Sequence, residues 1–97
     1  MPYRIVYHPE VLEKDLPRIP RNLRNRIHQA IQQRLGSEPS HYGEPLRHTL
    51  KGYWKLRVGD YRVIFQLHDR LVLVIEIGHR KDIYAAPIRR FLWRPTA

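Results

Sequence analysis

The chain has 97 residues, which is enough for one small domain, and it has no cysteine, which excludes a disulfide framework and a thiolate metal site. No window comes near the ~20 apolar residues of a membrane span, and the N-terminus lacks a signal-peptide core, so we expect a cytoplasmic protein with no membrane partner. Eighteen Lys and Arg against nine Asp and Glu give a net charge of +9, which favours polyanionic partners.

The first half of the chain predicts one strand and two helices. Tyr3–Tyr7 alternates and is rich in β-branched and aromatic residues, which is typical of a strand. Apolar residues at helical spacing predict a first helix over about Pro9–Leu16 and a second over about Arg21–Leu35. Ser37–Pro45 has the composition of a loop, with two prolines and a glycine.

The second half predicts three antiparallel strands in a meander. Tyr53–Arg57, Tyr61–Leu67 and Leu71–Ile77 are apolar and separated by turns short enough for hairpins. Ile88–Trp93 is expected to form a short closing helix. The predicted fold is therefore α+β: one domain over residues 1–97, in which the N-terminal strand and the meander form an antiparallel sheet packed by the two N-terminal helices.

Strand alternation sorts the side chains of the meander onto two faces, provided that Arg57 pairs with Arg62 across the first turn. The face expected to meet the helices carries Trp54, Leu56, Val63, Phe65, Leu67, Leu71, Leu73, Ile75 and Ile77. The opposite face is expected to carry Tyr53, Lys55, Arg57, Arg62, Ile64, Gln66, Val72, Val74, Glu76, Gly78 and, if the last strand extends far enough, Arg80.

The second face would gather four cations, Lys55, Arg57, Arg62 and Arg80, which repel one another unless an anion lies among them. A phosphodiester suits this arrangement, because cations aimed at its transition state stabilise the charge that grows there. Metal-independent RNA cleavage needs, in addition, only a base for the 2′-hydroxyl and an acid for the leaving oxygen. Tyr84 qualifies as the base only if nearby arginines lower the pKa of its phenol.

Other chemistries lack a pattern in this sequence. The six histidines show no metal-ligand spacing, the five glycines form no phosphate-binding loop, and no serine has the flanking glycines of a nucleophile. We therefore expect no metal and no cofactor. Tyr53 is a candidate platform on which a base could stack. A solvated helix face is the favoured interpretation of the arginines in the second helix, and direct contact with RNA is the alternative.

Two sequence segments resemble a known family. LKGYWKLRVGDYRVIF (Leu50–Phe65) followed by GHRKDIY (Gly78–Tyr84) is similar to the RelE branch of the RelE/ParE toxin superfamily of prokaryotic type II toxin–antitoxin systems. The resemblance implies a metal-independent endoribonuclease that cleaves mRNA in the ribosomal A site. It also implies a cognate antitoxin, acidic by charge complementarity, through which the complex binds operator DNA.

The resemblance also implies roles for individual residues. Arg62 in GDYR and Arg80 in GHRK would hold the scissile phosphate and stabilise the transition state. Lys55 and Arg57 would add positive charge, with Lys55 also assisting proton transfer. Tyr84 would match the family's C-terminal tyrosine, a base or a base-stacking group.

One position departs from the family pattern. RelE proteins commonly carry a second lysine two positions before Lys55, and here that position is Tyr53, which leaves the identity of the general acid and base open. Two other functions remain: inhibition of DNA gyrase in the manner of the ParE branch, and RNA or ribosome binding without catalysis. The joint presence of Arg57, Arg62, Arg80 and Tyr84 favours the ribonuclease.

Overall fold

A five-stranded sheet forms the centre of the molecule in a computed structural model that describes residues 2–46, 52–83 and 88–95. Its order is β1-β5-β4-β3-β2, with β1 parallel to β5 and the other neighbours antiparallel. This arrangement confirms the predicted α+β class and the antiparallel meander, but the N-terminal strand, which we expected to be antiparallel, joins the sheet in parallel. The strands are β1 (Arg4–Tyr7), β2 (Glu44–Pro45), β3 (Tyr53–Val58), β4 (Tyr61–His68) and β5 (Leu71–His79).

The helical parts follow the predicted order, with one addition. A π-helical turn over Val11–Asp15 and a 3₁₀ turn over Leu16–Arg18 form the first helical segment. The second is α1 (Arg21–Ala30), which continues as a π-helical turn over Ile31–Leu35. The loop prediction for residues 37–45 was wrong in part, because this stretch contains α2 (Pro39–Tyr42), with proline in its first turn, and β2. The last helix is α3 (Ile88–Phe91).

The described helices are all too short or too polar to cross a membrane.

The predicted register between β3 and β4 is confirmed, since Arg57 pairs with Arg62 across the turn. Between β4 and β5, however, the register shifts at Ile64/Phe65: Ile64 pairs with Glu76 and Phe65 with Val74. One extra residue, Ile75, is accommodated in β5, as in a β-bulge.

The shift corrects the predicted sorting of β5. Val72 and Val74, expected to face away from the helices, lie in the cluster beneath them, whereas Leu73 and Ile75 lie in a cluster on the opposite face. Leu71 packs against that second cluster too. The prediction holds beyond the shift, because Ile77 packs with the helices. A slip of one residue reverses every side chain before it.

Both faces of the sheet therefore carry apolar clusters. The helix-side cluster contains Val11, Ile19, Ile27, Ala30, Ile31, Leu35, Leu56, Val58, Val63, Phe65, Val72, Val74 and Ile77. The opposite cluster contains Tyr53, Ile64, Leu73, Ile75 and Phe91, with Leu46, Ile83 and Trp93 among the residues that pack against it. Because α3 supplies Phe91, the face predicted to be polar is covered along part of its length.

A buried ion pair closes the free edge of β5. Strand β1 pairs with only Leu71–Val74, so the next residues of β5 need other hydrogen-bond partners. The Asp15 carboxylate accepts the backbone N–H of Ile77 at 3.0 Å, and the Arg90 guanidinium donates to the Ile75 carbonyl at 3.3 Å. Arg90 also donates to both oxygens of Asp15, at 2.8 and 3.1 Å. Two side chains thus replace a neighbouring strand.

Glu10 and His8 extend this network toward the C-terminal segment. Glu10 accepts a hydrogen bond from Arg89 at 2.9 Å and pairs with Lys14 at 2.9 Å. Hydrogen bonds from Arg89 and then Lys14 lower the pKa of Glu10 from 4.5 to about 2. His8 accepts the backbone N–H of Glu10 at 3.0 Å, and burial, aided by the charge of Arg90, lowers its pKa below the ordinary 6.5.

Replacing Asp15 with alanine should lower the free energy of unfolding by about 3–5 kcal/mol, because the substitution leaves the Arg90 charge buried and unpaired. The Ile77 N–H would also lose its acceptor. Urea denaturation monitored by circular dichroism measures the change. Glu13→Ala, at an exposed carboxylate in the same helical segment, is the matched control and should change stability by less than about 0.5 kcal/mol. Equal effects of the two substitutions would contradict this account of the edge.

Acid should destabilise the fold in two steps. His8 is harder to protonate in the fold, so its contribution is complete above about pH 6.5 and is lost as the pH falls below that value. The pKa of Glu10 is also lowered, so its contribution is complete above pH 4.5 and is lost as the pH falls toward 2. Urea midpoints measured from pH 7 to pH 2 test this. Glu10→Gln should flatten the lower step, and an unchanged profile would contradict the assignment.

Candidate functional site

The cationic cluster consists of Lys55, Arg57, Arg62 and Arg80, and its arginines lie at the end of the sheet where the β3–β4 turn meets the end of β5. Arg57 and Arg62 are cross-strand neighbours. On its other side, Arg62 neighbours Gly78 of β5, a residue with no side chain to cover it. Lys55 lies opposite Ile64 and two residues from Arg57, so alternation places it on the same face. Three of the predicted residues therefore share one surface.

Arg62 is held by backbone carbonyls. Its Nη1 donates to the carbonyl of Gly59 at 3.0 Å and to that of Tyr61 at 2.9 Å. The side chain is only partly buried. A guanidinium has five N–H donors in a fixed plane, so, as far as the described residues are concerned, the donors on Nη2 and Nε are left for an anion. The turn therefore orients Arg62 without neutralising it.

Arg80 reaches the same turn from the end of β5. The strand ends at His79, so Arg80 lies in a turn rather than in the extended strand that we considered from the sequence. Its backbone N–H donates to the Asp60 carbonyl at 2.8 Å, and its Nε lies 3.5 Å from Oδ1 of Asp60. Both side chains are more than half exposed. Such a pair contributes little to stability, so an anionic ligand can compete with Asp60 for Arg80.

The charge of this cluster is poorly compensated. In the described part of the chain, the ion pair with Asp60 is the one that involves any member of the cluster. Lys55, Arg57 and Arg62 therefore repel each other across a partly exposed surface. A bound phosphate would relieve this repulsion, and the arginines offer it planar, bidentate hydrogen bonding.

Tyr53 does not offer the exposed stacking platform that we expected. Its ring is 7% exposed and packs edge-on against Phe91, with ring centroids 5.6 Å apart. Its hydroxyl donates to the Phe91 carbonyl. The expectation was wrong for this conformation because α3, which lies 38 positions further along the chain, covers the ring. Trp54 is on the helix side, as predicted, and packs in parallel with Phe65.

The position of Tyr84 falls outside the described residues, so its proposed role stays a prediction. The described chain approaches this position at Ile83, whose backbone N–H donates to the His79 carbonyl at 2.9 Å. Ile83 also packs against the apolar cluster that contains Tyr53.

A polar cleft, not predicted from the sequence, adjoins the cluster. It has a volume of about 390 Å³ and lies along the part of β5 that β1 does not cover. His79 lines the cleft and meets the ring of Tyr61 edge-on, with ring centroids 5.5 Å apart. The residues that line the cleft are spread between positions 10 and 90 of the sequence, so no local sequence pattern could have identified the cleft. The residues that line it include Glu10, Lys14, Asp15, Arg18, Tyr61, Glu76, Gly78, His79, Asp82 and Arg90.

Comparison with known proteins places this geometry in a family. A family model described as the ParE toxin of a type II toxin–antitoxin system matches residues 5–84. Toxin RelG of Mycobacterium tuberculosis is 30% identical over 86 residues, which cover 87% of this chain and 98% of the relative. Toxin RelE of the same organism is 33% identical over 73 residues, covering 73% of this chain and 75% of the relative.

Solved structures agree with this assignment. The toxin–antitoxin complex RelBE2 from M. tuberculosis contains a chain with a TM-score of 0.76 and 27% identity, covering 82% of this chain and 100% of that one. The isolated RelE toxin of E. coli shares the fold, with a TM-score of 0.65 at 20% identity over 79% of this chain and 83% of that one. The chain therefore belongs to the RelE/ParE superfamily of type II toxins, within its RelE branch.

Proposed function

We propose that this protein is a metal-independent endoribonuclease that cleaves mRNA, in the ribosomal A site, and thereby stops translation. The observation that carries the proposal is the set of arginines around the β3–β4 turn. Arg57 and Arg62 are adjacent and Arg80 meets the same turn, while Asp60 is the one carboxylate paired with them among the described residues. Guanidinium groups can supply the charge that a phosphoryl transition state requires.

The proposed reaction is an attack of the RNA's own 2′-hydroxyl on the adjacent phosphorus. The 2′-oxygen loses its proton to a base and forms the new P–O bond, and the 5′-oxygen leaves with a proton from an acid. The products are a 2′,3′-cyclic phosphate and a 5′-hydroxyl. Arg62 and Arg80 hold the phosphate and stabilise the added negative charge, and Lys55 and Arg57 strengthen the local field.

Lys55 and Tyr84 are the residues of this chain proposed to take part in proton transfer. Lys55 lies on the correct face to assist, and Tyr84 is the proposed base or stacking group. Tyr53, at the position where the resemblance to RelE proteins implies a lysine, is buried against Phe91. The proposed acid and base therefore come from Lys55, Tyr84 and groups that the substrate or ribosome supplies.

The proposed partners follow from charge and from the relatives. A net charge of +9 suits both mRNA on the ribosome and an acidic antitoxin. The solved RelBE2 and RelBE complexes pair a related toxin with its antitoxin. We infer a cognate antitoxin here as well, through which the complex binds operator DNA, and a cytoplasmic location in which all three meet.

Gyrase inhibition is the second candidate, because the matching family model is described as a ParE toxin. The two functions separate in a pair of assays with the same purified protein. Cleavage of translated message with unimpaired supercoiling supports the ribonuclease. Loss of supercoiling with intact message supports the gyrase inhibitor, and ribosome binding without either effect supports a non-catalytic module.

Arg62→Ala and Arg80→Ala should each reduce cleavage of message on ribosomes by about 10²–10³-fold, the usual effect of losing one transition-state donor. Primer extension on a translated message measures the rate. Arg34→Ala removes an exposed arginine from the helical turn Ile31–Leu35, away from the sheet end, and should cleave within about twofold of wild type. Folding is checked by thermal unfolding. Intact message with the wild-type protein would overturn the proposal.

Tyr53→Phe should lower the free energy of unfolding by about 1 kcal/mol, because the hydrogen bond to the Phe91 carbonyl is lost while the ring contact stays. Chemical denaturation measures this change. Cleavage should stay within about twofold of wild type if the phenol has only this structural role. A loss of cleavage above tenfold at unchanged stability would instead show that the hydroxyl of Tyr53 takes part in the reaction.

A further inference from the structure

A further arginine lies close to the β3–β4 turn, and it comes from the helical layer. Gly59 in this turn has φ +59°, a conformation that glycine adopts without strain. A β-carbon at Gly59 would lie 3.9 Å from Nη1 of Arg26, an exposed residue of α1. The guanidinium of Arg26 therefore lies close to the backbone of the turn.

Three arginines from separate parts of the chain thus converge on two turn residues. Arg26 lies over Gly59, Arg62 donates to the carbonyl of Gly59, and the backbone of Arg80 donates to the carbonyl of Asp60. Within the described residues, Arg26 forms no ion pair. The turn therefore carries more positive charge than Asp60 balances, on the helix side as well as on the sheet face.

The position of Arg26 differs from that of the other helix arginines. Arg34 lies eight residues further along the same helical stretch, about 12 Å along its axis. That end joins the helix to the other edge of the sheet, where Gly36 accepts the backbone N–H of Tyr3 at 2.8 Å. Arg34 is exposed and carries the same charge, but it lies far from the turn. If only the overall positive charge attracts the ligand, Arg26 and Arg34 should contribute equally to binding. If the ligand is bound at the turn, Arg26 should contribute more than Arg34.

We propose that Arg26 is a substrate-binding residue that holds a backbone phosphate next to the scissile one, so that the RNA strand passes from the sheet face around the β3–β4 turn. The inference rests on the proposed ribonuclease, because Arg62 and Arg80 define where the scissile phosphate lies. RNA is favoured over an acidic protein segment because an RNA strand carries one negative charge per nucleotide. Wherever the strand is positioned along its length, it can therefore offer phosphates to arginines on both sides of the turn.

The test is equilibrium binding of a short single-stranded RNA, fully 2′-O-methylated so that it cannot be cleaved, followed by fluorescence anisotropy at several salt concentrations. Arg26→Ala should weaken binding about tenfold, as for one charge-assisted hydrogen bond. It should also reduce the slope of log K against log salt by about 0.7, the value for one phosphate on a single strand. Arg34→Ala should change the affinity by less than about twofold and leave the slope unchanged. Thermal unfolding of both variants should match that of wild type.

Equal effects of Arg26→Ala and Arg34→Ala would overturn the proposal and assign both residues to a general field. Unchanged RNA binding by Arg26→Ala, with weaker binding of a co-purified acidic partner, would also overturn it and place Arg26 in a protein contact. The assay does not depend on cleavage. A wild-type protein that binds RNA through Arg26 but leaves message intact would remove the ribonuclease proposal while supporting the binding site.

Discussion

The pair between Asp15 and Arg90 holds the two ends of this small fold together. The residues are 75 positions apart, and both are buried. Their side chains complete the hydrogen bonding of β5 where β1 ends, which a buried strand edge cannot leave open without a large cost. The same pair fixes the start of the C-terminal segment, so that Phe91 and Trp93 pack over the sheet face opposite the helices. One interaction therefore satisfies an edge and covers a face.

This cover determines where charge can accumulate. α3 and its neighbours cover the apolar cluster around Tyr53 and Ile64, whereas Arg57, on the same face near the β3–β4 turn, is exposed. The arginines among the four cations that the sequence predicted to gather on this face are therefore concentrated around one turn. Concentration strengthens the local potential, and a potential focused on one turn selects for a narrow polyanion such as a single strand.

Local patterns predicted the parts of the fold that depend on local contacts. Strand boundaries, the order of elements and the pairing of Arg57 with Arg62 follow from apolar alternation and from a short turn that fixes register. The motifs around Arg62 and Arg80 identified the family. The shift at Ile75 was not predictable in this way, because every residue of β5 near it is apolar or long and alternation fits either register. Tyr53 was misplaced for a related reason: its cover comes from distant Phe91.

The extra residue at Ile75 also divides β5 into two parts with different surroundings. Before it, Leu71–Val74 pairs with β1 on one side and β4 on the other, and its side chains pack in the apolar clusters on both faces. The size of each side chain there is therefore constrained by its packing. After it, Ile77 is still buried against the helices and held by the Asp15 carboxylate, whereas Gly78 and His79 are only partly buried and border the polar cleft. The end of β5 beside the arginines is therefore less constrained by side-chain packing than the buried stretch Val72–Ile77. Toxins of this fold could therefore change the residues at this end of β5, and with them the ligand that they bind, while they keep the same core.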